Sequence, residues 1–112
     1  MVKISFSDFE RIMSRKVIVK QTCIEIEFCV DNSPVYHDSW LGKMANDENS
    51  SVSYWFGLTA DGSQAYDYDS FEQFVNARVF NDNSLCDIWD SISLLSIDAC
   101  DVQERLSYYL YS

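Results

Sequence analysis

Residues 22–30 read TCIEIEFCV, and this stretch decides the fold. Ile24, Ile26, Phe28 and Val30 fall on one side of an extended chain, while Cys23, Glu25, Glu27 and Cys29 fall on the other. That period-two alternation belongs to a strand with one face in a core and the other in water. Val17 and Val19 have the opposite parity to Ile24. A strand beginning as early as Val17 therefore needs a bulge or bend near Gln21.

A second alternation follows, with Val52, Tyr54, Phe56 and Leu58 against Ser53, Trp55 and Gly57. Asp61-Gly62 supplies a turn dipeptide before residues 65–68, so the spacing predicts a β-hairpin. Ile92 to Ile97 is a short apolar run rich in branched residues and reads as a strand in the interior of the sheet. Residues 31–51, with Asn, Asp and Ser around Tyr36, His37, Trp40, Leu41 and Met44, are too long for an ordinary connection. They are expected to form a functional loop or to hide a short helix.

Four helix starts are legible. Ser7-x-x-Glu10 has capping-box spacing before Phe9, Ile12 and Met13, which predicts a helix near residues 8–15. Ser70-x-x-Gln73 opens a helix with Phe71, Phe74 and Val75 inward, and Ser84 opens a short one with Leu85, Ile88 and Trp89 inward. Asp101-x-x-Glu104 opens the last, with Val102, Leu106, Tyr109 and Leu110 inward. The expected architecture is a single α+β domain over residues 1–112, a small, mostly antiparallel sheet of about four strands with helices packed mainly on one face.

Composition supports a folded chain. The hydrophobic fraction is 47%, with seven Phe, seven Tyr and three Trp, so the net charge of -10 does not signal disorder. No run approaches the roughly 18 to 20 apolar residues that a membrane span needs, and MVKISFSDFERIMSRK meets charges too early for a signal peptide. These features point to the cytoplasm and to Cys23, Cys29, Cys86 and Cys100 as free thiols.

Charge is unevenly placed. Residues 1–20 hold Lys3, Arg11, Arg15, Lys16 and Lys20 against Asp8 and Glu10, a balance of +3 that leaves -13 for the remainder. Such a body repels nucleic acid and anionic lipid over roughly 8 Å at physiological salt, and it attracts basic surfaces. Direct nucleic-acid and membrane partners are disfavoured.

Signatures of catalysis and metal binding are weak. The cysteine spacing lacks the close pairs of a zinc site, and the Asp-rich turns do not match a calcium loop. Three glycines, at 42, 57 and 62, build no phosphate cradle. His37 with Cys23 or Cys29 is the one nucleophile–base pair to consider, and neither thiol lies in a recognisable nucleophile motif. No catalytic residue, metal or cofactor is assigned.

Acids interleaved with aromatics stand out: Asp47-Glu48 ahead of Tyr54 and Trp55, Tyr66-Asp67-Tyr68-Asp69, and Asp87-Ile88-Trp89-Asp90. Carboxylates steer a basic partner, and Tyr or Trp anchor it. Trp55 faces away from the apolar side of its strand and is the leading anchor, with Asp47, Glu48, Asp67 and Asp69 as its acidic surround. The expected function is a small acidic, non-enzymatic binding or inhibitor protein that occupies a basic protein surface. A phage or mobile-element inhibitor of a nucleic-acid enzyme, an anti-CRISPR-like DNA mimic, fits that class. The alternatives are an immunity or antitoxin-like protein for a cognate toxin and a small cysteine-dependent enzyme.

Overall fold

The computed structural model describes residues 2–14, 23–45 and 52–111, with backbone only for Cys23, Ala45 and Tyr111. In chain order the elements are α1 (Phe6–Ser14), β1 (Cys23–Val30), β2 (Ser39–Ala45), β3 (Val52–Gly57), β4 (Ala65–Tyr68), α2 (Phe71–Asn76), α3 (Leu85–Ile88), β5 (Ile92–Ile97) and α4 (Val102–Tyr111). A 3-10 turn, Trp89–Ser91, joins α3 to β5. The strands form one antiparallel sheet in the order β4-β3-β2-β1-β5.

The alternation read in β1 holds. Ile24, Ile26 and Phe28 are buried, and Leu41, Phe56, Ile92, Leu94 and Ile97 join them from the neighbouring strands. Helices supply the other half of this core through Phe9, Ile12 and Met13 of α1, Phe74 of α2, Leu85 of α3 and Leu106 of α4. Phe74 stacks on Phe56 with ring centroids 4.3 Å apart, and Phe9 lies 4.5 Å from Trp89. Offset and tilted ring pairs of this kind add to the stabilisation from burial alone.

The sheet has five strands where about four were expected, and the additional one is β2, inside the segment expected to be a loop or short helix. Its alternation is inverted relative to hydropathy. Leu41 and Lys43 point into the core, whereas Trp40, Gly42 and Met44 point out. Lys43 is only 3% exposed, and its Nζ donates to Met13 O at 2.7 Å, at the C-terminus of α1. A cation there meets the negative end of the helix dipole. Burial pushes its pKa below the ordinary lysine value.

Two further expectations are corrected. β5 is the last strand of the sheet, not an interior one. Its run of branched residues reflects a bulge opposite Glu27 and Phe28, where Ser96 and Leu94 are successive partners and Leu95 is the extra residue. The first helix begins at Phe6 and is capped by Ser5, whose Oγ accepts from Asp8 N–H at 3.1 Å, rather than by Ser7. The candidate early strand start at Val17 and the bend at Gln21 lie outside the described residues. The other caps form as read: Ser70 accepts from Gln73 N–H, Ser84 and Asp87 make a reciprocal capping box, and Asp101 accepts from Glu104 N–H.

Asp98 ties β1, β5 and α4 together. Its Oδ1 accepts from Glu25 N–H at 3.0 Å, and its Oδ2 accepts from Arg105 Nη2 at 2.7 Å and from Tyr109 OH at 2.5 Å. Asp98 and Ala99 both have positive φ, 54° and 62°, and form a two-residue turn closed by Ile97 and Cys100.

Burial, reinforced by the hydrogen bond to Asp98, pushes the Tyr109 phenol up to about 12. A raised pKa in the fold means that the stabilisation is complete below the ordinary value of 10 and is lost as pH rises from there towards 12. Denaturant titrations from pH 9 to 12 should show the parent losing on the order of 2 kcal/mol more than Tyr109→Phe. Parallel curves for the two proteins would contradict this.

Candidate functional site

Since the core takes one face of the sheet, the alternate residues of β1 to β4 make up the other. The strand register places them in two rows. Asp67, Trp55, Gly42 and Glu25 form the first, and Ala65, Gly57, Trp40, Glu27 and Ser96 form the second. Met44, 52% exposed, extends the apolar centre beyond Gly42. Each tryptophan thus stands opposite a glycine on the neighbouring strand.

For Trp55 that pairing has a steric reason. A Cβ on Gly42 would lie 2.6 and 2.7 Å from Cζ2 and Cε2 of Trp55 and would collide with Ile24 O, so the Trp55 indole lies directly against the bare backbone of β2. A Cβ on Gly57 would meet the same ring at 3.9 Å, an ordinary contact. Trp55 and Trp40 are both half-buried.

Carboxylates border the indoles. Glu25, Asp38, Asp67 and Asp69 are exposed, and Glu27 is half-buried. None of them joins the ion pairs seen among the described residues, which are Lys3–Asp31, Arg11–Asp8 and Arg105–Asp98. A hydrogen bond with Asp38, together with burial, raises the Glu27 carboxyl above its ordinary pKa, while Ser96 Oγ, donating to Oε1 at 3.0 Å, works against the rise. Two carboxyls that close disfavour holding two negative charges at once.

Of the residues singled out in the sequence, Trp55 and Asp67 are direct cross-strand partners, and Asp69 follows at the end of β4. Asp47 and Glu48 lie outside the described residues. Tyr54 belongs to the opposite face, packed on Phe71 and Phe74, and Trp89 is a core residue, 7% exposed, whose Nε1 donates to Ile4 O at 2.9 Å. Reasoning from the sequence missed Trp40, Met44, Glu25, Glu27 and Asp38 as members of the same face. For Glu25 and Glu27 the signal was present in the β1 alternation. Trp40 and Met44 became legible only once β2 was known to be a strand.

Asp61, by contrast, holds a turn. Asp61 Oδ1 accepts from Ser63 N–H, Ser63 Oγ and Thr59 Oγ1, and these bonds hold its pKa down to about 2. Among the described residues no group of three or more His, Cys, Asp or Glu is arranged to hold a metal ion, and no helix is long and apolar enough to cross a membrane.

Cys86 and Cys100 are free thiols. Cys29 and His37 line one open cleft of about 770 Å³ together with Lys3, Asp31 and Ser93. Burial first, and then the charge of Asp31, push the Cys29 thiol up. A nucleophilic thiol needs the opposite environment. His37 Nδ1 lies 3.0 Å from Pro34 O, a contact within its own loop. The chain matches no family model, no curated protein and no solved structure.

Two substitutions test this geometry. Gly42→Ala should destabilise the fold by roughly 1 to 3 kcal/mol, the usual cost of overpacking, and should shift Trp55 emission as the ring is displaced. Glu27→Gln removes the repulsion with Asp38 and keeps an oxygen to accept from Ser96. Because the Glu27 pKa is raised in the fold, the ionised form is penalised above it and the penalty disappears at lower pH. The variant should therefore gain a few tenths of a kcal/mol at pH 7 and nothing at pH 4, as read by thermal unfolding at the two pH values.

Proposed function

We propose that the chain is a non-enzymatic binding protein that seats the sheet face opposite its core on the basic surface of a partner protein, and that it acts there as an inhibitor of a nucleic-acid-handling enzyme. One observation carries this reading. The face concentrates two half-buried indoles and Met44 inside a border of Glu25, Glu27, Asp38, Asp67 and Asp69, and none of these carboxylates is paired with a cation among the described residues. Flat aromatic anchors inside an acidic rim match what a basic, partly apolar surface needs, and net charge -10 favours rapid encounter with it.

Strand geometry also sets the spacing of the strand residues that carry carboxylates. Glu25 and Glu27 are two residues apart on one side of β1, about 7 Å, and neighbouring strands lie about 5 Å apart. Anions held at regular intervals on a stiff scaffold can occupy a site built for a phosphate backbone, which supports the DNA-mimic form of the proposal.

The test uses the full chain as bait for a lysate at low and high salt, followed by competition with a duplex oligonucleotide. A nucleic-acid enzyme retained at low salt and displaced by both salt and duplex is the expected result. Asp67→Lys with Trp55→Ala should weaken its retention by at least about a hundredfold, given one lost anchor and one reversed charge. Retention indifferent to salt, duplex and both substitutions would sink the proposal.

A further inference from the structure

The sheet has two outer edges, and among the described residues only one of them is closed. At β5, Val2 N–H donates to Leu94 O at 3.1 Å and Leu94 N–H donates back to Val2 O at 2.7 Å. β4 has no such neighbour among the described residues. The bond from Leu58 N–H to Gln64 O, 2.9 Å, sets the phase of the β3–β4 ladder. Bonded pairs recur every second residue, so Tyr66 and Tyr68 turn their backbone groups to β3, and Ala65 and Asp67 turn theirs outward. No hydrogen bond among the described residues uses those outward groups.

An open groove of about 390 Å³ runs beside this edge between β4 and α2, lined by Asp67, Tyr68, Asp69, Gln73, Asn76 and Ala77. Exposed strand edges pair readily with other chains, and the side chains flanking them decide with which. A second copy of this chain is a poor candidate, because antiparallel pairing of two β4 edges about Asp67 opposes like charges. A strand bearing Lys or Arg at alternate positions meets Asp67 and Asp69 instead. Arg78, the nearest cation in sequence, makes no ion pair with Asp67 or Asp69 among the described residues.

We infer that β4 is a receiving edge: an extended basic segment of the partner adds beside Ala65–Tyr68 as a sixth strand, its main chain bonded to Asp67 and its side chains in the β4–α2 groove. This rests on the reading of the open face as the surface for a basic partner, and it names the partner element that reaches the rim of that face.

The experiment titrates the ¹⁵N-labelled full chain with a capped eight-residue peptide alternating lysine and threonine, and with two analogues, N-methylated at the lysines or at the threonines. The expected result is amide shifts and slowed exchange confined to residues 65–69, 73 and 76. One of the two analogues, whichever methylates the inward-facing amides, should bind at least about tenfold more weakly at unchanged charge. Asp67→Pro, which gives up only an outward N–H, should abolish binding, and Asp67→Asn should retain a weakened form of it. Equal binding by both analogues, or shifts at the Trp40 and Trp55 indoles without change in β4, would overturn strand addition while leaving docking by the open face intact. Absence of shifts with all three peptides would overturn it too, and the bait experiment then decides the open-face reading separately. If Asp67→Pro does not fold, the comparison of peptides on the parent chain gives the answer by itself.

Discussion

A sheet that buries only one face must give every strand the same answer to the question of which residues point inward, and β1 supplies it. Ile24, Ile26 and Phe28 are essentially inaccessible, and β1 is hydrogen-bonded on both sides, to β2 and to β5. A slip of one residue in either ladder would place Glu25 and Glu27 among Phe9, Phe56 and Phe74. The register of β2 follows, and through it the position of Gly42 beneath Trp55 and of Lys43 at the end of α1. The external face is thus a by-product of core selection, composed of whatever alternates with the residues the core demanded.

Local signals were legible where side chain and backbone serve the same purpose. The β1 alternation, the 52–68 hairpin with its Asp-Gly turn, and the caps at Ser70, Ser84 and Asp101 all satisfy a backbone need with the residue that does so most cheaply. β2 was not legible, because it points a lysine inward and a tryptophan and a methionine outward. The lysine is tolerated where the carbonyl of Met13 receives its ammonium, and Trp55 covers the neighbouring glycine. Both compensations come from elsewhere in the chain, so no window of sequence around β2 contains them. The place of β5 at the end of the sheet was hidden for a related reason, since a bulge makes a strand look apolar on both sides.

The candidate site divides along the same line. Trp55 and Asp67 could be nominated from a hairpin whose pairing was predictable, whereas Trp40 and Met44 depended on a strand that was not. Acid-rich segments were poor guides taken singly. Asp61, Asp87, Asp98 and Asp101 lie in equally acidic stretches, and each is occupied with a turn or a helix end. What separates Glu25 and Asp67 from them is the absence of such work among the described residues: they lie on the outer face of the sheet, and neither side chain is seen bonded to backbone there.

The strand order also has a kinetic meaning. β1 to β4 form a meander in which each strand meets the next in sequence, but β5 returns across the whole chain to pair with β1. Short-range hairpins assemble quickly, and closure of a long loop is slow by comparison. Until β5 arrives, β1 offers an unpaired edge and a half-covered Phe28, and the turn at Asp98–Ala99 that docks α4 has nothing to fold against. The barrier to folding should therefore lie in the meeting of the first strand with the last.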